Sequence, residues 1–357
     1  MTDLKISKLT LGTMTFGEQV SAKLAHELLA VSVDLGINFI DTAEMYPVYP
    51  SAKTYGLSER IIGSFMKSRN GYGRGDLSIA TKVASSNPFG IGATQLSWIR
   101  GGGDGLKLTK KNITEAVEGS LSRLQTDYID LLQLHWPERP IPVGDSINTD
   151  FPFHGLPQPT TFLETLTAID SLIKAGKIRF FGVSNETAWG LTKMTAIAER
   201  ENLPRPVTIQ NTYNLLNRSF ENNLSEAVAM ENVGLIAYSP LAGGRLTGKY
   251  IADQRPRGAR YSLWPGPKNK YHNSLVNDAV SDYCQLAKEF GLSPVELALG
   301  FNLANRYCVS TVIGATAPKH LYTAAATIDR IIPDEVLFRI NEIHRKCPNP
   351  AVVGATS

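Results

Sequence analysis

Cysteine is scarce in this chain: Cys284, Cys308 and Cys347 are the only three in 357 residues. An odd number without a CxxC pair gives neither a disulfide framework nor a zinc site, and it fits reduced thiols. No run of about 18 apolar residues occurs, so no membrane span is expected. The start, Met1-Thr2-Asp3-Leu4-Lys5, has neither the apolar core of a secretory signal nor an Arg/Ser-rich amphipathic pattern. The expected location is cytoplasmic, or organellar if a transit peptide has been removed. An excess of one charge is also lacking. Lysine plus arginine number 36 against 33 acidic residues, a formal net charge of +3, with no long basic run. That is too mild for an electrostatic hold on nucleic acid or an anionic membrane.

The composition is that of an ordinary globular protein, 43% hydrophobic and 19% charged, which excludes disordered, collagen-like and coiled-coil chains. Eight short apolar runs recur, at residues 9–16, 37–42, 77–83, 128–135, 179–184, 207–213, 234–239 and 309–314. Most are nearly continuous, as suits parallel strands covered on both faces. Helical patterns fill the intervals. Ile113, Val117, Leu121 and Leu124 mark one face, with Asn112 as the expected N-cap and Glu115 as its back-bonding partner. Phe162, Leu166, Ile169 and Ile173 mark another, and Ser293-Pro294-Val295-Glu296 reads as a helix start. Further helices are expected near 23–35, 58–67, 187–200, 220–230, 276–290, 318–327 and 334–346.

Eight strand–helix alternations close naturally as a (β/α)8 TIM barrel, here a single domain over 1–357. A doubly wound open sheet is the rival on pattern alone, but no GxGxxG turn follows any strand. Three Gly- and Pro-rich connections, about 84–111, 137–160 and 242–275, are too long to be simple links. Each follows a strand, so a barrel puts all three on its C-terminal rim, as lids over a pocket.

Four polar residues stand at matching places. Asp41, Lys82 and His135 end successive apolar strands, and Tyr46 follows Asp41 by five residues. Singly, each reads as a rim charge, a cap or a core histidine; together they converge on one small volume. A tyrosine hydroxyl titrates near 10 and is a poor proton donor at neutral pH. A neighbouring ammonium is expected to lower that pKa, an aspartate to hold the lysine, and a histidine to orient a substrate oxygen. The group suits protonation of a carbonyl oxygen while hydride reaches the carbon, and it calls for no metal.

These segments resemble the aldo-keto reductases. The resemblance rests on Leu11-Gly12-Thr13-Met14, Ile40-Asp41-Thr42-Ala43-Glu44-Met45-Tyr46, Ala80-Thr81-Lys82-Val83 and Asp127 to Pro137. It continues through Gly182-Val183-Ser184-Asn185, Ala237-Tyr238-Ser239-Pro240-Leu241, Leu246-Thr247-Gly248-Lys249-Tyr250 and Ile313-Gly314-Ala315-Thr316. Glu44-Met45-Tyr46-Pro47 and Ser184-Asn185-Glu186-Thr187 look most like the Tas-type branch and its plant relatives. The resemblance implies Tyr46 as general acid, Lys82 lowering its pKa, Asp41 pairing with Lys82, and His135 binding the carbonyl oxygen. Trp136 is expected in the substrate pocket or in rim packing.

It also implies NADPH, with NADH the less expected cofactor. Ser184, Asn185 and Gln210 match the carboxamide contacts, and Tyr238 matches the ring on which the nicotinamide stacks. Gly12, Thr13 and Met14, together with Asp41, flank that ring. Ser239, Leu241, Gly243 and Lys249 match the pyrophosphate contacts, and Arg260 the 2′-phosphate contact. Gly314 and Thr316 lead into Pro318-Lys319, a helix start suited to phosphate. His320, Thr323 and Ala324 replace the Gln, Glu and Asn common in the family, which predicts a weaker polar grip on adenine. Gly243 to Lys249 superficially matches a Walker A loop, but Tyr250 stands where a Mg²⁺-binding Ser or Thr belongs.

The expected activity is NADPH-dependent reduction of an aldehyde or ketone. Two rival readings stand beside it: a nucleotide-sensing binding partner with little turnover, and an aldolase using Lys82 as a Schiff base. Against the last, Asp41 is expected to keep Lys82 protonated.

Overall fold

Eight strands, all parallel, pair in sequence order, and the eighth returns to the first to close a barrel. The computed structural model describes residues 4–68, 72–85, 96, 98–139, 141, 159–264 and 271–353. The strands are β1 (Leu9–Gly12), β2 (Phe39–Asp41), β3 (Ser78–Val83), β4 (Ile129–Leu134), β5 (Ile178–Ser184), β6 (Thr208–Thr212), β7 (Gly234–Tyr238) and β8 (Cys308–Gly314). Helices α1 (Ala22–Asp34), α2 (Leu57–Lys67), α3 (Lys110–Leu124), α4 (Phe162–Lys174), α5 (Ala188–Arg200) and α6 (Leu224–Met230) follow the first six strands. After β7 come α7 (Arg260–Leu263), α8 (Ser274–Glu289) and α9 (Pro294–Ala304). Beyond β8 lie α10 (Pro318–Ala325), α11 (Asp334–Lys346) and α12 (Pro350–Val353). The closed sheet disposes of the doubly wound alternative.

The apolar stripes behave as their spacing requires. Ile113, Val117 and Leu124 of α3 are fully buried against the strands, each contributing about 1.5–3 kcal/mol of burial. The start of α3 differs from expectation. Thr109, not Asn112, is the N-cap, its hydroxyl accepting from the Asn112 amide at 3.3 Å. Asn112 lies inside the first turn and donates its side-chain amide to the Lys107 carbonyl. The expected helix over 220–230 is also divided, because extended Asn222 ends the 3-10 turn Ser219–Glu221 and Asn223 adopts φ +59° before α6 begins. Ser293 does form a capping box with Glu296 and opens α9 with Pro294 at its first position.

Period two organises the barrel interior. Phe39, Ala80, Leu131 and Ile236 share one buried apolar cluster at its centre. Two residues further along three of those strands, on the same face, stand Asp41, Lys82 and Gln133. Gln210 joins them from β6. A polar layer thus caps an apolar one at the C-terminal mouth.

The three long connections rise from that mouth. Residues 86–95 and 97, 140 and 142–158, and 265–270 of them lie outside the described residues. The third carries two 3-10 segments, Ala242–Thr247 and Ile251–Asp253, and then α7. Among the described residues no helix is long and apolar enough to cross a membrane.

Candidate active site

Asp41 is the centre of the polar layer. One carboxylate oxygen accepts from Lys82 Nζ at 2.6 Å; the other accepts from the side-chain amides of Gln210 at 2.7 Å and Gln133 at 3.1 Å. Lys82 also donates to the Thr42 carbonyl at 2.9 Å. Both of its acceptors call for a donor, as an ammonium provides. Burial pulls Lys82 below the ordinary ammonium range, and Asp41 and then Glu59 oppose it. Glu59 stands one layer out, accepting from Thr81 Oγ1 at 2.5 Å and from Arg123 at 2.6 Å.

Tyr46 lies over this pair, with Lys82 Nζ 5.0 Å from its ring centre. Its ring meets His135 edge-on at 5.8 Å. His135 in turn stacks flat on Trp136, 3.7 Å between ring centres. The four expected catalytic residues therefore meet at one end of the barrel.

Their electrostatics correct one expectation. Tyr46 is not acidified: burial first and the Asp41 carboxylate second push its pKa above the ordinary tyrosine value, and Arg260 alone pulls it down. The physical reason is that Asp41 neutralises Lys82 at 2.6 Å and faces the phenol with its own negative charge. Burial, with Lys82 adding to it, holds His135 well below the usual imidazole range, so the ring is neutral at pH 7. Its Nδ1 is buried without a hydrogen-bond partner.

The residues matched to cofactor contacts line the same mouth. Thr13 gives both its amide and its hydroxyl to the Asp41 carbonyl, at 2.9 and 3.0 Å, which ties the end of β1 to β2. Ser184 Oγ donates to the Gln210 carbonyl at 2.8 Å. Asn185, at φ +56°, donates to the His135 carbonyl and accepts from the Tyr238 hydroxyl at 2.8 Å. Gln210 is committed to Asp41 and Gln133, so its donor side faces inward. Arg260 Nη1 approaches Met14 Sδ at 3.9 Å, and Gln19 donates to the Gly258 carbonyl, so the segment after β7 reaches across to the loop after β1. Thr316 N donates to His320 Nδ1 at 3.3 Å ahead of α10.

The rim after β7 fits a polyanion. Ser239, Ala242, Gly243 and Gly244 all have positive φ, and a Cβ at Gly243 would stand 2.1 Å from the Tyr261 hydroxyl. Arg245 is buried with its Nε unpartnered, and it makes no ion pair among the described residues. Lys249 stands exposed on the same rim, and burial first, then Lys249 and Lys319, depresses His320. A buried guanidinium without a carboxylate is costly unless another partner completes it. Here His272 Nδ1, 2.7 Å from Arg245 Nη2, and the Tyr250 and Tyr261 rings do part of that. An apolar cavity of about 220 Å³, lined by Phe162, Trp189 and Trp136 among others, lies outside the barrel wall, and Tyr46, Lys82 and His135 do not line it.

Sequence reasoning missed Gln133, Glu44, Arg100 and Arg245. Gln133 is a polar residue within an apolar strand, and period-two counting from Leu131 would have placed it inside. The other three carry no local signal.

Comparison with known proteins agrees with this geometry. The model of the "Aldo/keto reductase family" matches residues 8–345. Protein tas of Escherichia coli is 41% identical over 351 residues, covering 98% of this chain and 97% of its own length. The uncharacterized oxidoreductase YrpG of Bacillus subtilis is 32% identical over 96% of this chain and 93% of its own. A probable voltage-gated potassium channel subunit beta of Oryza sativa subsp. japonica is 30% identical over 97% and 95%. With a closed barrel, a Tyr–Lys–Asp–His cluster at its mouth and a family match over nearly the whole length, the chain belongs to the aldo/keto reductase family and is an NAD(P)H-dependent oxidoreductase.

Proposed function

We propose that this single-domain barrel reduces an aldehyde or ketone to the alcohol with NADPH, and that Tyr46 donates the proton. The observation that carries the reading is the meeting of Tyr46, His135 and the buried Lys82–Asp41 pair at the mouth. Bound there, the dihydronicotinamide supplies the hydride.

This chain's residues do the rest. The substrate oxygen sits between the Tyr46 hydroxyl and the neutral His135 ring, whose N–H donates to it. As the carbonyl carbon accepts the hydride, the oxygen gains negative charge and takes the proton from Tyr46 Oη. A raised phenol pKa serves this direction, because the hydroxyl is fully protonated at rest. An alkoxide is a stronger base than a phenolate, so the transfer still runs downhill. The phenolate left behind lies beside the Lys82 ammonium and within the field of Arg260.

Ser184, Asn185, Gln210 and Tyr238 are the residues proposed to hold the nicotinamide end, with Gly12, Thr13 and Met14 beside it. Ser239, Leu241, Gly243 and Lys249 are proposed for the pyrophosphate; Arg260, Gly314, Thr316 and His320 for the adenosine phosphate. A 2′-phosphate rewards fixed cations, which supports NADPH over NADH. The test is oxidation of NADPH and of NADH, in parallel, across a panel of aldehydes and ketones. Turnover with an NADPH preference supports the reading. Tight cofactor binding with no turnover on any compound favours a nucleotide-binding module, a role that the potassium-channel-subunit relatives bring to mind.

A further inference from the structure

Glu44, two residues before Tyr46, is fully buried yet charged, and the mechanism does not use it. One of its carboxylate oxygens accepts from the Ala84 amide at 2.6 Å, just past β3. The other accepts from the Tyr55 hydroxyl at 3.0 Å and from Arg100. Arg100 comes from the long connection after β3 and is itself buried; it further donates to the carbonyls of Ala84 at 2.9 Å and Gly105 at 3.0 Å. Three separate stretches of chain are thus tied by one buried ion pair. Such a pair is a poor source of net stability, because desolvation offsets its attraction, but removing one partner strands the other. Its value lies in fixing geometry.

What it fixes is a wall beside the catalytic tyrosine. Leu96, Ile99 and Leu106 from the connection are fully buried against Ala43, Met45 and Ala84, and Tyr46, Trp98 and Trp136 all pack on this cluster. Trp98 meets Tyr55 edge-on at 5.4 Å. The turn that presents Trp98 is unusual: Arg100, Gly101 and Gly102 all have positive φ, and a Cβ on Gly105 would stand 2.0 Å from the Arg100 carbonyl oxygen. A non-glycine residue in that region persists only when its surroundings hold it, and the Arg100 side chain is held by Glu44 and by the Ala84 and Gly105 carbonyls.

We propose that Glu44 and Arg100 are positioning residues that hold residues 98–106 as one wall of the substrate site. Through Trp98 this wall selects carbonyl compounds bearing a flat apolar group, aryl aldehydes and ketones, over short aliphatic ones. The proposal rests on the carbonyl-reductase reading. Aromatic rings favour offset or edge contact with other rings, and Tyr46, Trp98 and Trp136 offer three around one small cluster.

The experiment uses the full-length protein and the variants R100L, G105A, W98A and W98F. G105A keeps both charges and disturbs only the turn. Two readouts are taken: amide exchange of residues 98–106, and kcat/KM with NADPH for benzaldehyde and for butanal. R100L and G105A are expected to speed exchange in 98–106 and to lower the benzaldehyde-to-butanal ratio by about tenfold, mostly through KM for benzaldehyde. W98A should lower the ratio similarly without speeding exchange, and W98F should restore most of it. Faster exchange with an unchanged ratio, or a ratio untouched in W98A, overturns the selectivity claim. Unchanged exchange in both R100L and G105A overturns the brace. If the wild type reduces neither aldehyde, the carbonyl-reductase reading fails and takes the selectivity claim with it, while exchange still decides the brace.

Discussion

The Lys82 ammonium lies 5.0 Å from the centre of the Tyr46 ring, but its shortest hydrogen bond, 2.6 Å, goes to Asp41. The cation that could acidify the phenol is therefore neutralised by a carboxylate that pushes the other way. Reduction needs the protonated phenol, so activity is lost only as pH rises through the phenol pKa, which burial and Asp41 place above the ordinary tyrosine value. D41N removes one of the two raising causes. The alkaline limb of kcat/KM for carbonyl reduction should move to lower pH in that variant, whereas R260Q should extend the plateau. Over pH 7 to 11 the wild type and R260Q should hold their plateau while D41N loses activity toward the alkaline end, and a D41N profile as flat as the wild type contradicts the electrostatic account.

His135 makes a prediction about stability. Burial and Lys82 hold its pKa well below the usual imidazole value, so the native ring resists protonation. Below about pH 6.5 the unfolded chain binds a proton that the native state refuses. Stability must therefore fall as pH drops, by up to about 1.4 kcal/mol per pH unit from this residue. H135Q should flatten the decline between pH 7 and 5 in urea unfolding. Parallel declines in the two proteins would show that His135 is not the source.

The Glu59–Arg123 pair supports the catalytic strand from outside. Glu59 is fully buried and takes hydrogen bonds from both Arg123 and Thr81, the residue before Lys82. R123M strands a buried carboxylate and should cost about 3–5 kcal/mol, while E59L/R123M together should recover much of that loss. Equilibrium unfolding of the single and double variants measures it; a double variant as unstable as the single one argues against a stranded charge.

Lys249 has no carboxylate partner among the described residues and sits 3.0 Å from a Cβ built on Gly244. If it serves a cofactor phosphate, K249M should weaken NADPH binding by about 10- to 100-fold, the worth of one charge-assisted hydrogen bond. Titration of cofactor fluorescence gives the affinity directly. Equal affinity in K249M would remove the residue from the proposed phosphate site.

The barrel was legible because its strands are short apolar runs set at regular intervals, and each of the eight observed strands falls largely within an expected one. Strand ends were less so. Phe16 continues the first apolar run, yet β1 stops at Gly12 because Thr13 turns to bond the Asp41 carbonyl. Thr109 and Asn112 are both capping residue types three apart, and composition does not choose between them. Phe220, Leu224 and Val228 keep helical spacing across a break made by the backbone of Asn222 and Asn223. The tetrad could be read from Asp41, Lys82 and His135 at strand ends. The sign of the Tyr46 shift could not, since it depends on burial and on which charge stands nearer. Glu44 and Arg100 lie 56 residues apart, and only folding reveals the pair.

The central claim is that the Tyr46 hydroxyl supplies the proton to the substrate oxygen. Y46F keeps the ring, its edge contact with His135 and the space above Lys82, and removes only that proton. Steady-state carbonyl reduction by Y46F, read beside cofactor affinity from fluorescence titration, is the most direct test. The account predicts a fall in kcat of about 100- to 10,000-fold with the affinity within about threefold of wild type. Turnover at the wild-type rate would contradict it.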